Sequence, residues 1–179
     1  PGLAPTERVH AWNSFVVLAM EAGIPAAPVN AIAPVARAVC QLRWIAGTDE
    51  ADILPALRRH LDRAGFGMVE IVATDESAFR GTRTEPDHPW ARWVRASIER
   101  TTGEAPDVIP QMGGSICNDV FTGILGIPAI WVPHSYAGCR QHAPDEHVLL
   151  PLCRDALGVM AGLWWDLGEP GTPGRKEAP

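Results

Sequence analysis

The chain has 179 residues, 46% of them hydrophobic, and a formal net charge of −6. The negative charge argues against a nucleic-acid-binding protein, which normally carries a basic stripe, and no apolar run approaches the roughly 18 residues that a membrane-spanning helix needs. The N-terminus lacks the pattern of a signal peptide and the four cysteines are widely spaced, so we expect a cytoplasmic protein with reduced thiols.

The first predicted elements are a helix and a pair of strands. The helix is predicted to begin at Thr6 and to end before Gly23, because its apolar residues recur at helical spacing: Val9, Trp12, Val16 and Ala19. Residues 28–34 are predicted as a short strand that folds back along a second strand over residues 36–45. The alternation of apolar and polar residues in this second strand is typical of a sheet with one buried face.

The remaining elements alternate between helices and strands. Further helices are predicted over residues 50–64, 117–125 and 149–167, and another opens at Asp87 and Pro89 and ends at Gly103. Further strands are predicted over residues 68–73, 107–110 and 128–132. The polar segment 75–89 separates two domains, 1–82 and 83–168, and residues 169–179 are expected to be a disordered tail. The expected fold class is α+β for the first domain and α/β for the second.

A loop over residues 133–147 contains three of the six histidines and one cysteine. Imidazole and thiolate are the usual ligands of zinc, and two kinds of site are compatible with this loop. One is a local structural zinc site with four ligands: His134, Cys139, His142 and His147. The other takes one ligand from the loop and the rest from distant segments, and a histidine-rich surface loop without metal is a third interpretation.

Two further features could bind an anion. Gly113-Gly114-Ser115 lies between a predicted strand and a predicted helix, where glycines let a ligand approach backbone amides. Asn30 and Arg43 lie on the polar face of the predicted strand pair, and an arginine offers two parallel hydrogen bonds to a carboxylate. A simple tight turn and a solvated strand face are the corresponding structural alternatives.

The order of four segments resembles the amidohydrolase-type metallopeptidases of clan MH. This group contains the aminoacylases, acetylornithine deacetylases, succinyl-diaminopimelate desuccinylases, carboxypeptidase G and dipeptidases. The segments are Asn30-Ala-Ile-Ala-Pro34 with Arg43, Gly113-Gly114-Ser115, Leu125-Gly126-Ile127-Pro128 and His142-Ala-Pro-Asp-Glu-His147. The resemblance extends to about Leu167.

The resemblance implies a site that the local spacing does not define. Two zinc ions, replaceable by cobalt or manganese, bind in the complete enzymes of this group, and His142 matches a histidine ligand near their C-terminus. Asn30 and Arg43 look like residues of a lid domain that hold the substrate carboxylate, and Gly114 and Ser115 look like a second part of that binding site. Residues 1–82 resemble the later part of the lid, which also forms a homodimer, and residues 83–168 resemble the end of the catalytic domain.

The family's other metal ligands and its general base have no counterpart in this sequence, so it looks like the C-terminal half of such an enzyme. The predicted function is hydrolysis of amide or peptide bonds next to a free carboxylate, in a dipeptide or an N-acyl amino acid, with the isolated chain inactive. The alternatives are a non-catalytic dimerisation remnant and a small protein with a structural zinc site.

Overall fold

A computed structural model describes residue 2 and residues 4–73, 79–109, 111–114 and 116–174. The described residues form two compact units. The first contains those of 1–82 and 111–119, and the second contains those of 83–110 and 120–179. None of the helices in the described ranges is long and apolar enough to cross a membrane.

The first unit contains a short helix, two strands and a longer helix. These are α1 (Pro5–His10), β1 (Ser14–Ala22), β2 (Ala36–Arg43) and α2 (Ile53–Arg63). A 3-10 turn, Glu50–Asp52, leads into α2. The strands are antiparallel and pair from Ser14 opposite Arg43 to Ala22 opposite Ala36. The predictions of a strand after residue 36 and of a helix after residue 50 are therefore confirmed.

The prediction of one helix from Thr6 to Gly23 is wrong, because the helix ends at His10 and the following residues form β1. A β-bulge in β1 explains why the sequence pattern does not predict this strand. Val17 pairs with Cys40 and Ala19 pairs with Val39, which leaves Leu18 without a partner on β2. The extra residue breaks the period of two, so the apolar residues do not alternate along the sequence.

The pairing around the bulge gives the sheet one apolar face and one polar face, because directly opposed residues lie on the same face. One face is entirely apolar and consists of Phe15, Val17, Met20, Ala22, Ala36, Ala38, Cys40 and Leu42. The other face carries most of the polar residues, including the opposed pair Glu21 and Arg37. Phe15 and Val17 are still 54% and 51% exposed, so the apolar face is not covered by the described residues.

Two strands predicted in the first unit are wrong. Residues 28–34 contain no strand, and Pro28 and Pro34 cannot donate backbone hydrogen bonds to a ladder. Residues 68–73 contain no strand either. The Arg58 guanidinium donates to the carbonyl of Val69 at 2.6 Å, and β1 is the strand that pairs with β2 among the described residues. The predicted pairing of 28–34 with 36–45 is therefore replaced by the pairing of β1 with β2.

The second unit is built around two helices that pack on each other, α3 (Pro89–Thr102) and α4 (Leu150–Asp166). Both were predicted from local signals. Pro89 begins α3, where its missing N–H costs nothing, and Gly103 ends it with a φ of 80°. Ser97 of α3 is fully buried, and the Arg100 guanidinium forms an ion pair of 2.6 Å with Asp166 of α4.

The strands predicted in the second half of the chain are also wrong within the described ranges. Residues 107–109 and 128–132 contain no strand, because a strand needs a partner and these segments find none among the described residues. The predicted helix over 117–125 is a short π-helical turn, Val120–Ile124. In the predicted tail, the Thr172 hydroxyl donates to the carbonyl of Glu169 at 3.0 Å, and residues 175–179 lie outside the described residues.

Candidate functional site

Arg43 is the last residue of β2, and its side chain reaches the glycine-rich segment. Its Nη1 donates to the carbonyl oxygen of Gly113 at 3.0 Å, across 70 positions of sequence. Its Nε donates to Oε1 of Gln41 at 3.3 Å, on the same face of the strand. The first unit therefore brings together Arg43 and the Gly113-Gly114 turn, which the sequence placed far apart.

The positive charge of Arg43 has no carboxylate partner among the described residues. Its acceptors, a carbonyl and a side-chain amide, are neutral, and the ion pairs of the described chain involve other arginines. A guanidinium has more N–H groups than these two contacts use, and the residue is exposed. An arginine held in this way can bind a carboxylate with its remaining donors.

The glycine segment leaves room for a ligand beside Arg43. A β-carbon on Gly113 would have no heavy atom within 4 Å, and both Gly113 and Gly114 are exposed. Ser115, the third residue of the predicted site, lies outside the described residues. The helical turn that follows is too short for an anion site at a helix N-terminus. The open space beside the glycines is therefore the evidence for ligand binding at this segment.

Asn30 lies in the loop between the two strands and is exposed. We expected it to lie beside Arg43 on adjoining strands, and this is wrong, because the residue opposite Arg43 is Ser14 of β1. The strand pairing therefore does not bring Asn30 to Arg43.

In the second unit, the histidine-rich loop has an unusual backbone. Arg140, His142 and Asp145 have φ values of 56°, 62° and 64°, and they are the non-glycine residues with positive φ in the described part of the chain. Each such residue costs on the order of 1 kcal/mol or more relative to ordinary backbone. Strained backbone of this kind clusters at functional sites, which makes this loop a candidate for one.

His142 lies in the middle of this loop with an exposed imidazole. No hydrogen bond or ion pair of its side chain occurs among the described residues. The neighbouring charges neutralise each other, since Nη1 of Arg140 lies 3.0 Å from Oδ2 of Asp145. The ring nitrogens of His142 are therefore available to bind a metal ion or another ligand.

Two other members of the predicted local zinc site, His147 and Cys139, are occupied or buried, whereas the third, His134, is exposed. Nδ1 of His147 lies 2.8 Å from the carbonyl oxygen of Asp145, and its Nε2 lies 2.6 Å from the hydroxyl of Tyr136. Cys139 is buried. Within the described ranges, no three His, Cys, Asp or Glu side chains come close enough to hold one metal ion.

The donor set therefore does not fit a complete zinc site. A catalytic zinc needs about three protein ligands, and His142 supplies one free imidazole. The carboxyl groups with a shifted pKa are engaged elsewhere: hydrogen bonds from Arg59 lower the pKa of Asp52, and the pKa of Asp166 is lowered by Ser97 and Arg100 of α3.

Two contacts in these sites were not predicted from the sequence. The carbonyl of Gly113 is the acceptor that fixes Arg43, and Tyr136 is the partner of His147. Tyr136 is the single tyrosine of the chain and lies next to the predicted ligands, which was the available signal.

No protein-family model matches the sequence, and no curated protein matches it. Solved structures do match. One is an M20 family metallo-carboxypeptidase, Sso-CP2 from Sulfolobus solfataricus, with a TM-score of 0.68 and 23% identity over 87% of this chain. Another is the di-peptidase Dug1p from Saccharomyces cerevisiae, with a TM-score of 0.68 and 16% identity over 92% of this chain.

The chain has part of the M20 peptidase fold. It covers 36% of the length of each of these two structures. The likeness therefore concerns about a third of a larger architecture, and it agrees with the mixed helix and strand content of the described residues taken together.

Proposed function

We propose that this chain is part of a metal-dependent hydrolase that cleaves amide or peptide bonds next to a free carboxylate. Its substrates would be dipeptides or N-acyl amino acids. The proposal is supported by the likeness to a metallo-carboxypeptidase and a di-peptidase. It also agrees with the sequence resemblance, in which residues 1–82 belong to a lid domain and residues 83–168 to a catalytic domain.

The observation that carries the proposal is the contact between Arg43 and Gly113. It holds an unpaired guanidinium at the end of a strand, next to exposed glycines. The role we assign to Arg43 is binding of the substrate carboxylate through its free N–H groups, which are geometrically matched to the two oxygens. Gly114 is proposed as a further contact of the same carboxylate, and the sequence resemblance adds Ser115.

His142 is the proposed metal donor of this chain. Two zinc ions, or cobalt or manganese in their place, would supply Lewis acidity in the complete enzyme. The described residues do not complete such a site, so the chain's own contribution to the reaction is to bind and orient the carboxylate end of the substrate.

The experiment is an NMR titration of the 179-residue chain with N-acetyl-L-alanine. We expect saturable shifts of the Arg43 Nε–H signal and of the Gly113 and Gly114 amides. N-acetyl-L-alaninamide, which lacks the carboxylate, should produce none. Arg43→Gln should abolish the shifts of the Gly113 and Gly114 amides, whereas Arg37→Gln, on the same face of β2, should leave them unchanged.

Two results would overturn the role of Arg43. One is equal binding of the acid and the amide, which would mean that the carboxylate is not recognised. The other is unchanged binding in Arg43→Gln, which would place the ligand elsewhere.

A second candidate function is a dimerisation module without catalysis. The observation that favours it is the exposed apolar face of the β1–β2 sheet. This function predicts self-association of the chain with no carboxylate binding at Arg43, so the titration above distinguishes the two.

A further inference from the structure

Residues 136–147 are closed into a loop by contacts between their two ends. The Tyr136 hydroxyl lies 2.6 Å from Nε2 of His147, and the two rings meet edge to face with centroids 5.8 Å apart. The backbone N–H of His147 donates to the carbonyl of Cys139 at 3.1 Å, and that of Cys139 donates to the carbonyl of Tyr136 at 3.1 Å. We call this set of contacts the loop closure.

The hydrogen bonds define the tautomer of His147. Nδ1 faces the carbonyl oxygen of Asp145 at 2.8 Å, and a carbonyl only accepts. Nδ1 of a neutral ring therefore carries the proton, which leaves Nε2 as an acceptor. Consequently the Tyr136 hydroxyl donates to Nε2, and both nitrogens of His147 are used within the loop.

The space around Tyr136 supports the same arrangement. A β-carbon on Gly138 would lie 2.5 Å from the tyrosine ring, so the ring lies directly against the backbone of Gly138. A side chain at position 138 would push the ring away from His147, because glycine alone allows this approach.

The loop closure confines a segment whose backbone is otherwise unfavourable. Between its two ends lie Arg140, His142 and Asp145, all with positive φ. Within the segment, the N–H of Ala143 donates to the carbonyl of Arg140 at 2.9 Å, and Arg140 pairs with Asp145. Left-handed backbone of this kind persists in non-glycine residues when surrounding contacts hold it.

We propose that Tyr136 and His147 are positioning residues that hold His142 in its left-handed conformation and thereby present its imidazole outward. His147 acts through its hydrogen bonds and does not itself bind a metal. The use of His142 as a metal donor rests on the proposed function, whereas the positioning of its backbone does not.

The experiment measures two NMR signatures of the isolated chain. Nε2 of His147 should show the nitrogen shift of an unprotonated acceptor, and His142 should show the strong HN–Hα cross-peak within one residue that positive φ produces. In Tyr136→Phe and His147→Ala, we expect the His142 cross-peak to weaken and amide exchange in residues 137–146 to become about five- to tenfold faster, as loss of one hydrogen bond implies. His134→Gln, next to the loop closure, should change neither.

A protonated Nε2 in the unmodified chain would overturn the proposal, even if the variants do not fold. So would an unchanged His142 cross-peak in both folded variants. Neither measurement involves substrate or catalysis, so a negative result for carboxylate binding at Arg43 leaves this test unaffected, and the reverse also holds.

Discussion

The side chain of Thr101 on α3 occupies the space in which a β-carbon of Gly162 on α4 would lie. The Thr101 hydroxyl is held in place, since it donates to the carbonyl of Ser97 at 3.0 Å. The two helices can approach this closely because position 162 has no side chain.

Gly162→Ala should therefore destabilise the second unit. We expect the free energy of unfolding in urea to fall by about 1–3 kcal/mol, the usual cost of overpacking. Gly158→Ala is the matched control, because it lies on the same helix with no atom within 4 Å of the added β-carbon. It should stabilise the helix by up to about 1 kcal/mol. Equal effects of the two substitutions would contradict this packing.

The free energy of unfolding of the second unit should depend on the ionisation of Asp166. The Ser97 hydroxyl and the Arg100 guanidinium beside it hold the pKa of this carboxyl below its usual range. The Ser97 hydroxyl approaches without the full geometry of a hydrogen bond within the described structure, so we regard Arg100 at 2.6 Å as the stronger contact.

A lowered pKa means that the contribution of Asp166 is complete above the unfolded pKa, about 3.9, and is lost as the pH falls below it. The difference in unfolding free energy between the unmodified chain and Asp166→Asn should therefore be constant above about pH 5 and shrink below about pH 4. Asp155→Asn, at an exposed position on the same helix, is the matched control for the loss of a carboxylate. A difference that grows towards low pH would refute the assignment.

The apolar face of the β1–β2 sheet should drive self-association. Val17 is 51% exposed on that face, and a charge there would oppose burial against a second copy. Sedimentation velocity should show concentration-dependent association of the unmodified chain and a shift towards monomer in Val17→Lys. Ile24→Lys, at a position 69% exposed in the following loop, should associate like the unmodified chain. A monomeric unmodified chain would exclude the dimerisation function.

The isolated chain should not hydrolyse dipeptides or N-acyl amino acids. One free imidazole, His142, is too few ligands to hold a catalytic metal ion firmly. The check is a hydrolysis assay with added zinc, cobalt or manganese. Metal-dependent turnover that is lost in His142→Ala and kept in His134→Ala would show that the chain completes a site by itself, contrary to our proposal.

Local signals predicted the long helices correctly. A proline in the first turn and a glycine after the last turn mark α3, and both act within a few residues of where they lie. β1 was missed because a bulge at Leu18 removes the period of two on which strand prediction depends. The strands expected over 68–73 and 128–132 failed for another reason: a strand needs a neighbour, and composition does not say whether one is present.

The candidate sites were also only partly predictable from the sequence. The residue types were evident from the sequence, and the resemblance singled out Arg43, Gly114 and His142. The contact of Arg43 with Gly113 spans 70 positions, which no local pattern encodes. The role of His147 was also out of reach, because a histidine bonded on both nitrogens and a free one look identical in a sequence.

The bulge at Leu18 also determines how the length of β1 can change. Because Leu18 has no partner on β2, its deletion would join Val17 and Ala19 into a regular ladder, and every other residue would stay on its present face. Insertion of one residue would instead enlarge the bulge or turn Met20 and Ala22 towards the polar face. This strand can therefore lose one residue more easily than it can gain one: a deletion at Leu18 should keep the apolar face intact, whereas an insertion should distort the strand or disrupt that face.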